Sequence, residues 1–433
     1  MPLRAALFVS ILFGLALADP GVSARAESDS RSPSDLAASL VSLLDIARTN
    51  NPEIRAVREK ARAAEERAKV EGAYMDPRFR VEWMGIPRDN VTLDPARNEQ
   101  TWYTVTQDLP FPGKLKSRRE AAIHEARASA ESAKDIENGV LRRVKQAYLD
   151  HAFLHRSLSV TREVKGLVSS LASVATTRYA AGLVSQQDVL KAQVELSLLA
   201  NEEITLGSQI RIAQGRLNTL LNRPPGSPLS RPPWPKGRIA GDAWKNAGEA
   251  EAAGSPSARM AEAEADAGRA MREAGRLEWA PDFMLGLSAV QMGDRQTGWN
   301  AMAGMTLPIW FGKNRAAASS AAASSGAAAA RATAAKNEAV YEAARLKIEI
   351  ESAERRIDLY DTSLVPQSET AFRSALINYE TGKIDFLSLI ENERNLKRVR
   401  LERDRALAEY FEKIADLEKL IGGTDLGMAR GVS

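Results

Sequence analysis

The side chains of this 433-residue chain best suited to chemistry are two aspartates, a histidine pair and a cluster of methionines. Asp188 and Asp385 each follow a Tyr-x-x-Gly tetrapeptide, Tyr179-Ala180-Ala181-Gly182 and Tyr379-Glu380-Thr381-Gly382. An aspartate at a helix start accepts hydrogen bonds from free backbone N–H groups and complements the helix dipole, which is the simplest role for both. His151 and His155 stand at i and i+4, a spacing that can chelate a metal from one helix face, yet no third ligand is apparent. They also fall on an apolar seam, so packed or surface histidines are the expectation. Met284, Met292, Met302 and Met305 carry soft sulfur ligands, but flexible apolar filler in a core or a lipid-facing surface accounts for them better. The chain contains no nucleophile elbow, phosphate loop or His-Glu-x-x-His motif, and its cysteine count is 0. No catalytic residue, cofactor or resident metal is expected.

These residues need long helices to position them. From Lys114 to Tyr179 there is no proline, and 65 residues at about 1.5 Å each predict a helix of about 98 Å. Leu141, Val144, Tyr148, His151, His155 and Leu158 step by 3 and 4, and Val164, Leu167, Leu171 and Val174 resume that rhythm after a phase shift. Such spacing makes a coiled-coil seam. Gly182 and Gly382 are then read as left-handed helix stops. The segment from Lys313 to Tyr379 follows the same plan, and its Ala/Ser/Gly tract over 316–335 is expected to be a close-packed helix face rather than a linker. Shorter helices, Glu53 to Tyr74 and Ser185 to Asn222, together match one long helix when stacked in tandem.

The plan occurs twice. Asn51-Pro52 and Asp76-Pro77-Arg78-Phe79 return as Ser255-Pro256 and Ala280-Pro281-Asp282-Phe283, at an offset of 204 residues. Leu109-Pro110-Phe111-Pro112-Gly113-Lys114 returns as Leu307-Pro308-Ile309-Trp310-Phe311-Gly312-Lys313 at 198 to 199, and the Tyr-x-x-Gly turns lie 200 apart. Three landmarks in one order at nearly one offset make the chain two copies of one unit. The prolines from Pro224 to Pro235 forbid helix and mark the linker between copies. The expected layout is a signal peptide over 1–26, a first repeat over 27–222, a linker over 223–240, a second repeat over 241–422 and a flexible tail over 423–433.

Between the helices lie segments of about ten residues that alternate in polarity. Phe79, Val81 and Trp83 alternate with Arg80 and Glu82, and Tyr103, Val105 and Leu109 with Thr104, Thr106 and Asp108. In the second copy Phe283, Leu285, Leu287 and Ala289 form one face of a strand, and Trp299, Ala301, Ala303, Met305 and Leu307 one face of another. This length and pattern suit a membrane-spanning strand, although an amphipathic strand in a soluble sandwich alternates in the same way. Four strands close no barrel and open edges are not stable in lipid, so a membrane setting requires several chains to share one barrel.

The N-terminus supports export. Arg4, the apolar run Ala5 to Ala18 and the small-x-small site Ala24-Arg25-Ala26 form a secretory signal. Beyond it no run of about 18 apolar residues predicts a transmembrane helix. Lys and Arg number 59 against 56 Asp and Glu, a net charge of +3 from interspersed populations, which implies no nucleic-acid partner.

In the order of these landmarks the chain resembles the TolC-like outer-membrane efflux family over nearly all of its mature length. The resemblance implies a mainly α fold with a small β part: a homotrimer whose strands share a twelve-stranded barrel in outer-membrane lipid, continued by an α-helical tunnel through the periplasm. It implies that Phe79, Val81, Trp83, Phe283, Leu285 and Leu287 face lipid. It places Tyr179, Gly182, Leu183, Tyr379 and Gly382 at a periplasmic tip where an adaptor (membrane fusion) protein docks and links the tunnel to an inner-membrane pump. Around a threefold axis Asp188 and Asp385 would each become a ring of three carboxylates, a candidate channel gate favouring cations. The chain would be a passive exit duct for drugs or metal ions. A periplasmic coiled-coil adaptor or scaffold is the rival reading, and it needs no lipid-facing strands.

Overall fold

A computed structural model of the chain describes residues 39–86, 91–235, 237–239, 243–246, 249–423 and 425–426. The expected signal peptide and most of the expected tail lie outside the described residues. Among those described, the tail's Leu426 is buried and donates its backbone N–H to Glu418 Oε1 at 2.8 Å.

The first element, α1 (Leu40–Asn50), is one that the sequence reading passed over. Its buried Leu40, Leu43, Leu44 and Ala47 keep helical spacing, and Ser39 caps it by accepting from Ser42 N–H at 3.3 Å. Asn51 ends α1 and begins α2 (Pro52–Glu71), accepting from the N–H groups of Glu53 and Ile54 at 2.9 and 3.3 Å. Proline in the first turn sacrifices no hydrogen bond, which is the physical content of the Asn-Pro landmark. In the second copy Ser255 caps α7 (Pro256–Arg276) in the same manner through Ala258 N–H at 3.3 Å.

The first long helix, α3 (Lys114–Ala180), has 67 residues and so runs about 100 Å. It packs against α2, α4 (Gln186–Leu220), α7 and α10 (Phe386–Leu420). The expected tandem arrangement is present: α2 and α4 both lie along α3. Of its seam, Leu141, Val144, Tyr148, His151, Val164 and Leu171 are buried, whereas Val174 near the tip is exposed.

The second rod matches the expected span but not its regularity. It runs as α8 (Phe311–Leu359), a π-helical turn over Tyr360–Leu364 and α9 (Val365–Glu380). Pro366 explains the wider turn: it has no N–H to donate and its ring crowds the preceding carbonyls, which a single π turn relieves without breaking the rod. The Ala/Ser/Gly tract is helical and packs on α7. A Cβ on Gly275 would stand 3.1 Å from Ala321 Cβ, so small residues let these helices approach closely.

The sheet contains β1 (Arg78–Met84), β2 (Gln100–Leu109), β3 (Phe283–Met292) and β4 (Arg295–Met305), antiparallel and in sequence order. The β2–β3 pairing joins the two copies, and the outer edges of β1 and β4 are unpaired among the described residues. Midway along the rods a core gathers Leu43, Tyr148, Leu217, Ile350, Tyr410 and Phe411. The short helices α5 (Ala243–Asn246) and α6 (Glu249–Ala253) adjoin it, with Trp244 buried there. The proline-rich linker is strapped down beside this core. Asn218 Nδ2 donates to the carbonyls of Pro225 and Ser227 at 3.0 and 2.8 Å, and Trp234 packs against Phe153 with ring centroids 6.0 Å apart.

Candidate functional site

Strand register sorts the sheet into two chemically different faces. Phe79, Val105, Leu287 and Ala301 stand in one row, and Val81, Tyr103, Ala289 and Trp299 in the next row of that face. Leu285 and Phe283 extend it along β3, and Trp83 along β1, so all six residues expected to face lipid share one face. The other face carries the row Arg80, Thr104, Ser288 and Asn300. There Arg80 pairs with Glu82 at 2.9 Å, and Thr104 Oγ1 and Ser288 Oγ share a hydrogen bond of 2.8 Å. Met284 and Met302 lie on this polar-row face and Met305 on the apolar one, so the methionines form no common cluster.

Sheet and helices are locked together where the copies meet. Lys114, buried at the start of α3, donates from Nζ to Asp282 Oδ1 at 2.9 Å and to the Ala280 carbonyl at 3.0 Å. Phe111 N–H donates to the same Asp282 oxygen at 2.8 Å. The Leu-Pro-Phe-Pro-Gly-Lys landmark of copy one thus holds the first residues of the strand pair of copy two.

At the far end, both Tyr-x-x-Gly turns are Schellman stops. Gly182 has φ +72° and Gly382 φ +74°. Leu183 N–H returns to the Arg178 carbonyl at 2.9 Å and Lys383 N–H to that of Asn378 at 2.8 Å. The two tyrosines differ sharply. Tyr179 is 45% exposed beside exposed Leu183, whereas Tyr379 is 1% exposed and packs edge-on against Phe386 at 5.5 Å. Tyr379 therefore supports the turn from within and presents no surface to a partner. Burial raises its phenol above the usual range, and the Asp188 carboxylate nearby adds to the effect.

Arg178, which the sequence reading did not single out, ties the two turns together. Its Nη1 donates to the carbonyls of Tyr379 and Glu380 at 2.5 and 3.1 Å, and its guanidinium lies 5.3 Å from the centre of the Tyr379 ring. The contact spans 201 residues of chain, so no local pattern discloses it.

The two candidate gate aspartates are not equivalent in the repeat. At the 200-residue offset Ser185 corresponds to Asp385, and Asp188 to Ser388. Asp385 is the N-cap of α10, with Oδ1 accepting from Ser388 N–H at 3.0 Å and Ser388 Oγ at 2.6 Å. Those two hydrogen bonds hold its carboxyl below the usual carboxylate range. Asp188 sits half-buried in the first turn of α4, one helical turn further along. Asp385 thus acts as a helix cap, and any charged ring formed by Asp188 would lie at a different level from one formed by Asp385.

Above the tip, α3, α4 and α10 border a cavity of about 660 Å³ lined by Phe153, Leu198, Leu199, Leu401 and several charged side chains. Glu195 pairs with Arg394 and Glu202 with Lys397. On the same stretch of α10, next in sequence to Arg394, Glu393 is 2% exposed, and both its carboxylate oxygens lack a hydrogen-bond partner among the described residues. Burial, reinforced by Glu195, pushes its carboxyl up to about 7. The histidine pair lies on α3 as expected of packed residues: His151 is buried, and its Nε2 lies 3.2 Å from that of His155. Burial pushes His151 down to about 4. Among the described residues no group of three or more His, Cys, Asp or Glu could hold a metal ion.

This arrangement, a two-faced sheet set on paired rods about 100 Å long, is shared with known proteins. The cobalt-zinc-cadmium resistance protein CzcC of Cupriavidus metallidurans is 23% identical over 390 residues, spanning 83% of this chain and 85% of the relative. The outer membrane protein VceC of Vibrio cholerae has the same fold, with a TM-score of 0.77 at 17% identity, covering 89% of this chain and 96% of that one. A membrane protein of Pseudomonas aeruginosa gives 0.77 at 23% identity, covering 89% and 90%. The family model for outer membrane efflux proteins matches residues 43–223 and 249–423, once for each copy of the repeat, and the chain belongs to that family of outer-membrane channels.

Proposed function

We propose that three copies of this chain assemble into one passive exit duct. It would receive small solutes or metal ions from an inner-membrane pump through a periplasmic adaptor and release them outside the cell. The observation that carries this reading is the sheet, which has an apolar face fit for lipid and two edges that are unpaired among the described residues. Unpaired backbone groups are not tolerated in hydrocarbon, so neighbouring chains must complete a barrel. The same face argues against a soluble coiled-coil adaptor, which has no use for it. Phe79, Val81, Trp83, Phe283, Leu285 and Leu287 then contact lipid, while Arg80 and Glu82 face the water-filled lumen. Tyr179, Leu183 and the glycine turns form the surface offered to the adaptor. The name of the CzcC relative supports metal ions as one class of cargo.

The test is to extract the protein from outer membranes in mild detergent, measure its mass by light scattering and record it in planar bilayers. A mass of three chains and discrete channel currents are expected. A monomer without conductance overturns the reading.

A further inference from the structure

The junction between sheet and helices carries a surface that neither barrel nor tunnel accounts for. Four connecting segments meet there, and their large apolar side chains point into solvent. Tyr74, Met75, Ile309, Trp310 and Phe311 are all more than half exposed, and Trp310 reaches 71%. Trp279 stacks on Phe311 with ring centroids 6.0 Å apart. Amphipathic aromatic rings in a band at the end of an apolar sheet suit a membrane–water interface, where one end of the ring is greasy and the other wet.

Immediately beyond this band the first two turns of α3 and α8 are basic. Lys116, Arg119, Lys313 and Arg315 are exposed. Among the described residues Arg119, Lys313 and Arg315 make no ion pair, and Lys116 approaches only Glu120, at 3.9 Å. The neighbouring acids are largely engaged: Asp282 with Lys114, Glu278 with Arg118, and Asp108 with Arg78. Asp76 alone stands exposed and unpaired among the described residues of the junction. An apolar band bordered on its helical side by unneutralised cations matches the order of groups in a phospholipid leaflet, acyl chain first and phosphate next.

We propose that this junction is a binding collar for anionic phospholipid of the periplasmic leaflet. Trp310, Phe311, Tyr74 and Ile309 lie against acyl chains, and Lys116, Arg119, Lys313 and Arg315 receive the headgroup phosphates. The proposal rests on the sheet spanning the outer membrane. It adds that the protein selects its lipid by charge, with about a five-fold gain for each cation that engages a headgroup.

The experiment uses the full-length protein reconstituted in phosphatidylcholine bilayers. A fraction of the lipid is brominated, as phosphatidylglycerol in one series and phosphatidylcholine in the other, and tryptophan fluorescence is recorded. At equal bromolipid fraction the glycerol lipid is expected to quench several-fold more effectively. The variant carrying Lys116→Gln, Arg119→Gln, Lys313→Gln and Arg315→Gln should equalise the two lipids while keeping overall quenching. Equal quenching of the unsubstituted protein by both lipids overturns the collar and leaves the membrane-spanning sheet standing. Absence of quenching by either lipid overturns the membrane placement itself. Substituting Trp310→Ala and Phe311→Ala tests a rival occupant of the band: an intact oligomer is expected, whereas an oligomer that falls apart shows that the aromatic band packs against a second copy and overturns the collar.

Discussion

Glu393 offers the most direct check on the energetics of the helical wall. Its carboxylate is buried on α10 with no hydrogen-bond donor among the described residues, and its pKa moves from 4.5 to about 7. For an acid raised in the folded state, stability is present in full below pH 4.5, where both states hold the proton. It is lost as pH rises through about 7, because the folded chain keeps a proton that the unfolded chain has released. The 4.5-to-about-7 shift corresponds to about 3 kcal/mol per chain. Glu393→Gln copies the protonated form and should remove that loss. The variant is expected to match the parent near pH 4.5 and to unfold several degrees higher at pH 8, with a visibly flatter profile between. Thermal unfolding of the detergent-solubilised protein across this range, followed by circular dichroism, measures it. Parallel profiles for the two proteins would show that Glu393 is ionised and compensated in the fold, and would refute the reasoning.

Four further outcomes can be measured. His151, pushed down to about 4, contributes stability that is complete above pH 6.5 and lost as pH falls through 4; His151→Gln should flatten the acid limb of the same profile. Gly182→Leu and Gly382→Leu should each cost about 1–2 kcal/mol of turn strain at positive φ, leave the assembly intact and lower efflux in cells; full export by both would reject a docking role for the tip. The Gly382 change should cost more than that at Gly182, because its Cβ meets Arg178 Nη2 at 3.4 Å while the other has open space. Asp385→Lys should lower stability by about 1 kcal/mol as a lost cap, and a change in cation preference of single-channel currents would add a lumenal role that unchanged currents would remove.

Much of the architecture was legible because repeats and helical periods are local properties. The 198- to 204-residue offsets, the proline-free run to Tyr179 and the alternation at Phe79 to Trp83 placed both rods, their shorter companions and four strands. What escaped was either masked by a stronger neighbour or long-range. Asn51-Pro52 reads as a beginning and masks the short helix α1 before it. Pro366 lies in a segment whose first copy carries no proline, so analogy between the copies predicts an unbroken helix where the structure has a π turn. At the tip, both tyrosines share a motif, yet Phe386 and Arg178 bury only Tyr379; its partner in the first copy is flanked by Gln186 in place of Phe386. The isolation of Glu393 depends on which helices converge on it, and sequence spacing along α10 does not reveal that.

In the proposed barrel the edges of β1 and β4, unpaired among the described residues, bind the fate of each chain to that of its siblings. In the proposed trimer a newly exported copy cannot settle in the bilayer alone, so the waiting population must be kept from joining edges in the wrong company. Yield should then rise more steeply than synthesis. A defective copy made beside intact ones should be more harmful than its absence, since it wastes the sound partners it recruits. Loss of the gene would behave as recessive, while a missense change in either edge strand would behave as dominant.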